Sequence, residues 1–438
     1  MNIIIAGAGH VGYELAKTLS PYHNIVVIDK GKLALDSMQE SLDILPVFGD
    51  VEDPETYKKL LDKEFDLFIA VTDSDEANLI SVIIASDTIN AKTTIIRLRN
   101  HFFAKSSLMQ KFGIDEAIFP IELTSKSVVN LLKYPKANNV KIFKYTDKKL
   151  ISLRLTKLDG PIGIVPEGYV IVGIERGSEF FIPKKDTQIE PNDLVYLFGD
   201  DIDIFKFCKT YGEDSSIHND RIAIFGAKEL GVSIANDLIE EGKEVKLIDK
   251  DLEVCKVADE QIEGRATVLN CKFSTKELYE QEGLKHADIV IAATNDDEYN
   301  IIKCLEAKEQ GVKKVIAINS ELEHYELMHS LGIVVIRGPK VSAYNAILER
   351  IHSSSIVAER NFCGGKGRIY MHKVLENSNI IDKTVKLPKA EENVAIYLIR
   401  NGEILECQEA LACETEDVIV AFCSKEQEDT INRWIHSL

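Results

Sequence analysis

No cysteine occurs before Cys208, and none of the eight stands in a C-x-x-C pair. Cys407, Cys413 and Cys423 come closest to a cluster. They fall in strand-like runs with no histidine at ligand spacing, so the eight read as reduced packing residues and no metal site is expected. No apolar run approaches the ~20 residues of a membrane-crossing helix. The amino terminus runs straight into a strand-like segment rather than a signal peptide, so a soluble, cytoplasmic chain is expected. Basic residues are in deficit: 52 Lys and Arg against 71 Asp and Glu give a net charge of −19. That balance argues against nonspecific binding to nucleic acid or anionic lipid, and suits a soluble protein or one that meets a basic partner surface. There is no G-x-x-x-x-G-K-[ST] loop, which removes the common route to phosphoryl transfer.

What is present is 438 residues, 45% of them hydrophobic, enough for several domains with real cores. The chain is organised around its opening. Asn2-Ile3-Ile4-Ile5-Ala6 reads as a buried strand, Gly7-Ala8-Gly9-His10-Val11-Gly12 as a turn, and Tyr13 to Leu19 has helical spacing. A second apolar run, Asn24 to Ile28, ends at Asp29. Strand, G-x-G-x-x-G, helix, strand and acid make a dinucleotide-binding unit. Gly7 allows the tight turn, Gly9 lets a pyrophosphate approach the backbone, and Gly12 lets the helix pack on the strand. The free N–H groups at the helix start, from Ala8 to Gly12, face anionic phosphates. Asp29 can accept from a ribose 2′-hydroxyl and would repel a 2′-phosphate. His10 and Val11 lie in the loop, His10 as a bystander rather than a catalyst. The competing reading is a Rossmann-type fold that has lost its ligand.

Strands and helices then alternate. A helix over 32–40 leads to a strand Ile44 to Phe48, in which Pro46 is awkward for a central position. Strands follow at Leu67 to Val71, Thr94 to Arg99 and Ala117 to Phe119, with a helix over 77–85. This is a parallel, doubly wound sheet over the first 120 or so residues. An amphipathic helix, Glu122 to Leu132, comes next. The stretch from Val140 to Phe207 changes to short strands (Leu150 to Leu155, Tyr169 to Ile174, Leu194 to Phe198), with turns at Asp159-Gly160-Pro161, Arg176-Gly177 and Pro191-Asn192-Asp193. Asp214-Ser215-Ser216 reads as a linker.

The chain then starts again, about 220 residues on. Gly226 and Gly231 answer Gly7 and Gly12, Asp249 answers Asp29, and Thr294 and Asn300 answer Thr72 and Asn78. Arg400 and Asp417 answer Arg176 and Asp193 in the β-rich module. The expected fold is therefore α/β, with two Rossmann-like doubly wound domains, each followed by a small β-rich module. The expected boundaries are 1–134, 135–215, 216–355 and 356–438.

The copies differ where it matters. Lys228 replaces Gly9, Asn270-Cys271 replaces Gly49-Asp50, Asn319 replaces Arg97 and Glu321 replaces Arg99. The second site is expected to be empty or to bind a different nucleotide weakly; alternatively, the Lys228 ammonium replaces a phosphate contact. Alternation along a strand places Arg97 and Arg99 on opposite faces, with Arg97 either on a phosphate or in a surface salt bridge. Asp73, Asp75 and Glu76 read as acids at a helix start, and Thr72 as a crevice residue.

Neither copy carries a nucleophile–base set, and the β modules are small for a substrate domain. That favours nucleotide sensing over turnover. The layout resembles the RCK (KTN plus TrkA-C) regulatory proteins of potassium transport in their two-copy form. The resemblance rests on Gly7 to Gly12, Asp29, Phe48-Gly49-Asp50, Val71 to Asn78, Ile96 to Asn100, Ile182-Pro183 and Pro191-Asn192-Asp193. It implies NAD(H) or ATP/ADP in the first domain, with the diphosphate on Gly7 to Gly12, the ribose on Asp29, and Asp50, Thr72 and Arg97 lining the pocket. It also implies a homotetrameric, eight-domain ring joined through the amphipathic helices. Such a ring docks peripherally, on the inner face of the membrane, on a Trk-type potassium-translocating subunit. Two other readings stay open, an NAD-dependent oxidoreductase and a regulator of another cation channel or antiporter.

Overall fold

The computed structural model describes residues 1–61, 64–89, 91–100, 102–103, 108–134, 137–143, 145–155, 162–164, 168–211, 220–271, 275–320, 325–352, 357–376, 378–381, 383–388, 392–407 and 409–438. The expected turn at Asp159-Gly160-Pro161, the linker Asp214-Ser215-Ser216 and Glu321 lie outside them. The chain forms two compact units, and these do not follow the linear repeat.

The first unit holds residues 1–125 together with Arg337–Arg350. Its six strands are β1 (Asn2–Ala6), β2 (Asn24–Asp29), β3 (Leu45–Phe48), β4 (Leu67–Ala70), β5 (Thr93–Arg97) and β6 (Glu116–Ile118). They lie in the order β3-β2-β1-β4-β5-β6, and the pairings are parallel. The Ile3-Ile4-Ile5 run is sequestered on both faces, as the centre of a parallel sheet requires. Pro46 is accommodated because β3 is an edge strand, where a missing N–H costs no ladder bond. The strand order reverses between β1 and β4, which opens a crevice at their carboxyl ends.

A helix from the second copy, Pro339–His352, belongs largely to this unit. Ala343 and Ile347 are its buried residues there. Tyr344 Oη lies 2.8 Å from Thr18 Oγ1, Ser342 Oγ 3.0 Å from Thr124 Oγ1, and Arg350 pairs with Glu116 at 2.8 Å.

The second unit holds the second parallel sheet and both β modules. Its parallel sheet repeats the first, in the order Thr267–Asn270, Glu244–Asp249, Arg221–Phe225, Ile289–Ala292, Lys314–Asn319, Val334–Arg337. The end of the helix Pro120–Leu132 belongs here, where Lys133 approaches Glu241 at 3.6 Å.

Each β module is a five-stranded antiparallel sheet with the same strand order. The first is Glu179–Phe181, Tyr169–Arg176, Leu194–Gly199, Lys149–Arg154, Ala137–Ile142; the second is Glu403–Glu406, Val394–Arg400, Val418–Ser424, Gly367–Lys373, Val357–Phe362. Strands Ala137–Ile142 and Glu179–Phe181 had no clear signal in the sequence, because neither alternates cleanly. The modules share one core, with Phe198 against Phe422 and Tyr196 against Phe362, both at 5.2 Å between ring centres.

The recurring Arg and Asp prove to be partners. Arg176 donates through Nε and Nη2 to Asp193 at 2.9 and 2.8 Å, and Arg400 does the same to Asp417 at 3.1 and 2.7 Å. In each module the buried carboxylate also accepts a backbone N–H three residues upstream, from Glu190 or Glu414. The eight cysteines are free, six of them buried.

Candidate functional site

The crevice of the first sheet is bounded by the loop Gly7 to Gly12. The three glycines divide by what the backbone demands. Gly7 has φ +118°, and a Cβ there would stand 3.0 Å from the Thr72 amide nitrogen. A Cβ on Gly12 would stand 1.9 Å from the Gly7 carbonyl oxygen. Its closest approach is thus to the loop itself, with the Ile5 side chain next at 3.5 Å. Gly9 is different: its φ and ψ are −71° and −173°, open to any residue, and a Cβ there meets nothing within 4 Å. The fold has no need of glycine at position 9. What glycine provides there is room above the loop.

The second copy repeats the division. Gly226 has φ +105°, and a Cβ on Gly231 would stand 1.8 Å from the Gly226 carbonyl. Lys228 occupies the third position with φ −79° and ψ −176°, the conformation of Gly9. The two fold-dictated glycines recur and the third does not.

The helix that follows the loop, His10–Leu19, starts from Gly9 without a side-chain cap. The helices after the fourth strand of each sheet are capped, Ser74 accepting from Ala77 N–H and Asp296 from Tyr299 N–H, whereas the loop helix of the second copy, after Lys228, is uncapped like that of the first. Uncapped N–H groups over an open loop suit an anion. His10 is exposed, Val11 and Gly12 buried.

Asp29 has work to do before any ligand arrives. Its Oδ2 accepts from Ala8 N–H and its Oδ1 from Gly31 N–H, both at 2.6 Å. Asp249 does likewise with Ala227 at 2.9 Å and Asp251 at 3.0 Å. The acid splints the glycine loop to the end of the second strand, which accounts for its retention in both copies. Asp50, on the loop after β3, accepts from Glu52 N–H at 3.1 Å. That loop is tied to β2 by Gly49 N–H donating to the Asp29 carbonyl.

Across the crevice, Thr72 donates through N–H and Oγ1 to Asn78 Oδ1 at 2.8 and 2.7 Å. The Asn78 amide donates in turn to the carbonyls of Thr72 and Arg97 at 3.1 and 2.9 Å, clamping the ends of β4 and β5 together. Asn300 makes the same clamp from Thr294 to the Ile318 carbonyl. The sequence flagged Asn78 only as a landmark of the repeat; its recurrence was the signal of this role.

Arg97 and Arg99 do not separate to opposite faces. Strand β5 ends at Arg97, alternation ends with it, and both side chains reach Asp73, Arg97 at 3.5 Å and Arg99 at 2.6 Å. Arg99 makes the surface ion pair. Arg97 is 7% exposed, and its Nε is buried without a hydrogen-bond partner. Burial pulls its guanidinium below the usual range, and Arg99 adds to that, while Asp73 and Asp75 oppose it. A desolvated guanidinium at the carboxyl end of a sheet fits an anionic ligand. Asp75 is a helix-start acid, and it also accepts from the backbone N–H groups of Arg99 and Asn100.

The second crevice is furnished differently. The strand registers correct the sequence alignment by one residue: Ala292 pairs with Ala317 as Ala70 pairs with Ile96. Ile318, not Asn319, therefore stands in place of Arg97, its carbonyl taking the Asn300 amide, and Ser320, not Glu321, stands in place of Arg99. Asn270 turns back to donate to the Asp249 carbonyl at 3.2 Å. Tyr299 stands in the helical turn where the first copy has Ala77. Its ring lies under Lys250 at 5.5 Å and Lys303 at 5.1 Å, so it spans from the end of Glu244–Asp249 to the helix after Ile289–Ala292. Burial, with Asp249 next, raises its phenol above the usual range. The sequence comparison of loops missed Tyr299, although one aligned pair, Ala77 and Tyr299, carried the difference.

Comparison with known proteins agrees with this geometry. The TrkA-N domain matches residues 3–120 and again 222–339, and the TrkA-C domain matches 147–212. A Trk system potassium uptake protein TrkA homolog from Archaeoglobus fulgidus is 27% identical over 440 residues, covering 98% of this chain and 99% of that one. The Trk system potassium uptake protein TrkA of Halomonas elongata is 27% identical over 444 residues, covering 96% and 95%. Among solved structures, the GsuK channel bound to NAD superposes with a TM-score of 0.61 at 18% identity, covering all of this chain and 79% of that one. The GsuK RCK domain gives 0.59 at 16%, covering 100% and 95%. No helix among the described residues is long and apolar enough to cross a membrane. With two TrkA-N matches, each on a parallel sheet that carries its own glycine loop, the chain belongs to the TrkA-N domain family.

Proposed function

We propose that this chain is the nucleotide-sensing regulatory subunit of a potassium uptake system, working through its first TrkA-N domain. The observation that carries the reading is Gly9: a glycine the fold does not need, over an uncapped helix start, in the one copy that also keeps a buried arginine at the crevice. The loop Gly7, Ala8, Gly9, His10, Val11 and Gly12 would give a diphosphate space and the N–H groups of its helix start, those of Gly7 and Ala8 being taken by the Ile28 carbonyl and Asp29. Asp29 would hold a ribose with whatever acceptor capacity the loop leaves it. Asp50 and Thr72 would line the pocket, and Arg97 would meet phosphate charge. NAD(H) or ATP/ADP fit this set, in one site per chain. Solved relatives of the same fold include GsuK bound to NAD and GsuK bound to ADP.

The second crevice, with Gly226, Gly231 and Asp249 but also Lys228 and Tyr299, serves the fold rather than a nucleotide. The proposed repeat boundaries remain 1–134, 135–215, 216–355 and 356–438. A homotetrameric eight-domain ring, held on the inner membrane face by a Trk-type potassium-translocating subunit, would transmit the signal without catalysis. A nucleotide that binds one state of such a ring better shifts the population by its differential affinity alone.

Thermal unfolding of the purified chain against NAD, NADH, ATP, ADP and NADP tests the sensor. A ligand of the folded state raises the midpoint by mass action. A rise with NADH or ATP, absent with NADP, is expected; no rise with any of the five would refute nucleotide sensing.

A further inference from the structure

Within the second unit, a cavity of about 310 Å³ lies where the first β module, the second parallel sheet and the second β module meet. Its charge is out of keeping with the chain. Lys141, Arg154, Lys308, Lys313, Lys314 and His329 line it, and no carboxylate does among the described residues, in a protein with a net charge of −19. Two rings, Tyr196 and Phe362, form one wall, and the amide side chains of Asn138 and Asn139 and the hydroxyl of Ser152 supply neutral polar groups.

We propose that this cavity binds a small phosphate-bearing organic anion, independently of the glycine-loop crevices. Positive charge gathered in a partly enclosed site attracts a polyanion far more than the same charge on an open surface, although burial disfavours the charged forms of Lys314 and His329. The volume sits at the lower end of the range for small-molecule sites, so it suits a compact phosphorylated metabolite. The aromatic wall offers a face for the organic part.

The bases come from elements that the repeat otherwise uses differently. In the first copy Lys92 is exposed and pairs with Asp66 at 2.9 Å. The corresponding acid of the second copy, Asp288, pairs with Arg221 at 3.0 Å instead. Lys314, which stands where the first copy has Thr93, is buried and donates to the Ala137 carbonyl at 3.2 Å. Burial pushes its amine down to about 7. Burial also lowers His329, Arg154 and Lys366 push it the same way, and Glu175 opposes them. Glu175 itself pairs with Lys366 at 2.7 Å. A bound anion would favour the charged form of Lys314, which burial disfavours. Because three parts of the unit contribute walls, occupancy would stiffen their junction.

Calorimetric titration of the full chain tests the site, with pyrophosphate and fructose 1,6-bisphosphate as phosphate probes and citrate as a carboxylate control. Pyrophosphate could also reach the glycine loop, so Gly9→Lys is titrated in parallel, and that variant separates a failure here from a failure of the nucleotide reading. Binding of a phosphate probe should persist in Gly9→Lys and weaken about tenfold or more in Lys313→Glu and in Lys141→Glu, the scale of losing one charged hydrogen bond. Both variants alter residues that reach solvent, and unchanged unfolding midpoints would confirm that they fold. The proposal is overturned if no phosphate probe binds at millimolar concentration. Equal affinity in wild type and both charge-reversal variants, or binding lost only in Gly9→Lys, would overturn it as well.

Discussion

Replacing Gly9 by lysine copies into the first TrkA-N domain the residue its twin already carries. Two opposed terms set the effect on stability. Lysine at a helix N-cap position is a poorer residue than glycine by roughly 0.5–1 kcal/mol. Removing a glycine from the unfolded chain returns about 0.4–1 kcal/mol where the native angles are compatible, as −71° and −173° are. No clash is added, since a Cβ at Gly9 meets nothing within 4 Å. The net change should stay within about 1 kcal/mol, a few degrees in the midpoint. Affinity is another matter. If a side chain at position 9 keeps a diphosphate off the loop, two charge-assisted backbone hydrogen bonds are lost at about 1.5–3 kcal/mol each, a weakening of 100-fold or more. The lysine ammonium itself could recover some of this by attraction to phosphate, so Gly9→Leu is needed beside it, bulk without charge. The assay is the thermal shift with NADH and ATP, followed by calorimetry on whichever binds. Unchanged affinity in both variants would refute the account of Gly9; loss in Gly9→Leu alone would show that Lys228 replaces a phosphate contact.

Other outcomes follow from the same geometry. Gly12→Ala should destabilise the chain by about 2–3 kcal/mol or more, because its methyl would stand 1.9 Å from the Gly7 carbonyl, and chemical denaturation would measure the loss. Asp29→Ala and Asp249→Ala should each cost roughly 1–3 kcal/mol without any nucleotide, since each leaves two backbone donors of its loop unpaired; stability loss only in the presence of nucleotide would contradict the splint. The buried Lys314, with its amine near 7 when folded and near 10.5 when unfolded, binds fewer protons in the native state between those values, so its contribution to stability rises with pH across that window. Lys314→Met should flatten that rise and stabilise the bare protein by roughly 1–4 kcal/mol at neutral pH, the lost donor to the Ala137 carbonyl offsetting part of the gain, and a variant that keeps the full rise with pH would overturn the burial argument. Lys228→Gly combined with Tyr299→Ala should open the second crevice, raising the nucleotide stoichiometry read by calorimetry; no gain would mean that the arginine missing at Ile318 decides the matter.

The parallel sheets were legible because their strands are short, fully apolar and closed by glycine or acid, as at Ala6-Gly7 and Ile28-Asp29. The duplication was legible because glycines with demanding backbone angles cannot drift. What stayed hidden depends on distance in sequence. The Asn78 clamp spans from β4 to β5, and its meaning needs both strand ends in place. Arg97 and Arg99 were placed on opposite faces because a strand was extended two residues past its true end. Asp29 was read only against a ribose, since nothing in its spacing reveals that Ala8 and Gly31 already donate to it. Tyr299 fills space that a motif comparison of loops does not examine. The edge position that excuses Pro46 is a property of strand order, which no local window carries.

The helix Pro339–His352 has a consequence for anyone who divides this protein. It is encoded at the end of the second TrkA-N repeat, yet Ala343, Ile347 and Tyr344 complete the surface of the first. A gene cut between the repeats would yield a leading half missing part of its own packing and a trailing half bearing a sticky, orphaned helix. Two such halves could heal only by trading that helix back. The joined chain thus reads as a pair of former equals, each now reliant on the other's spare part and free to accumulate separate duties without coming apart.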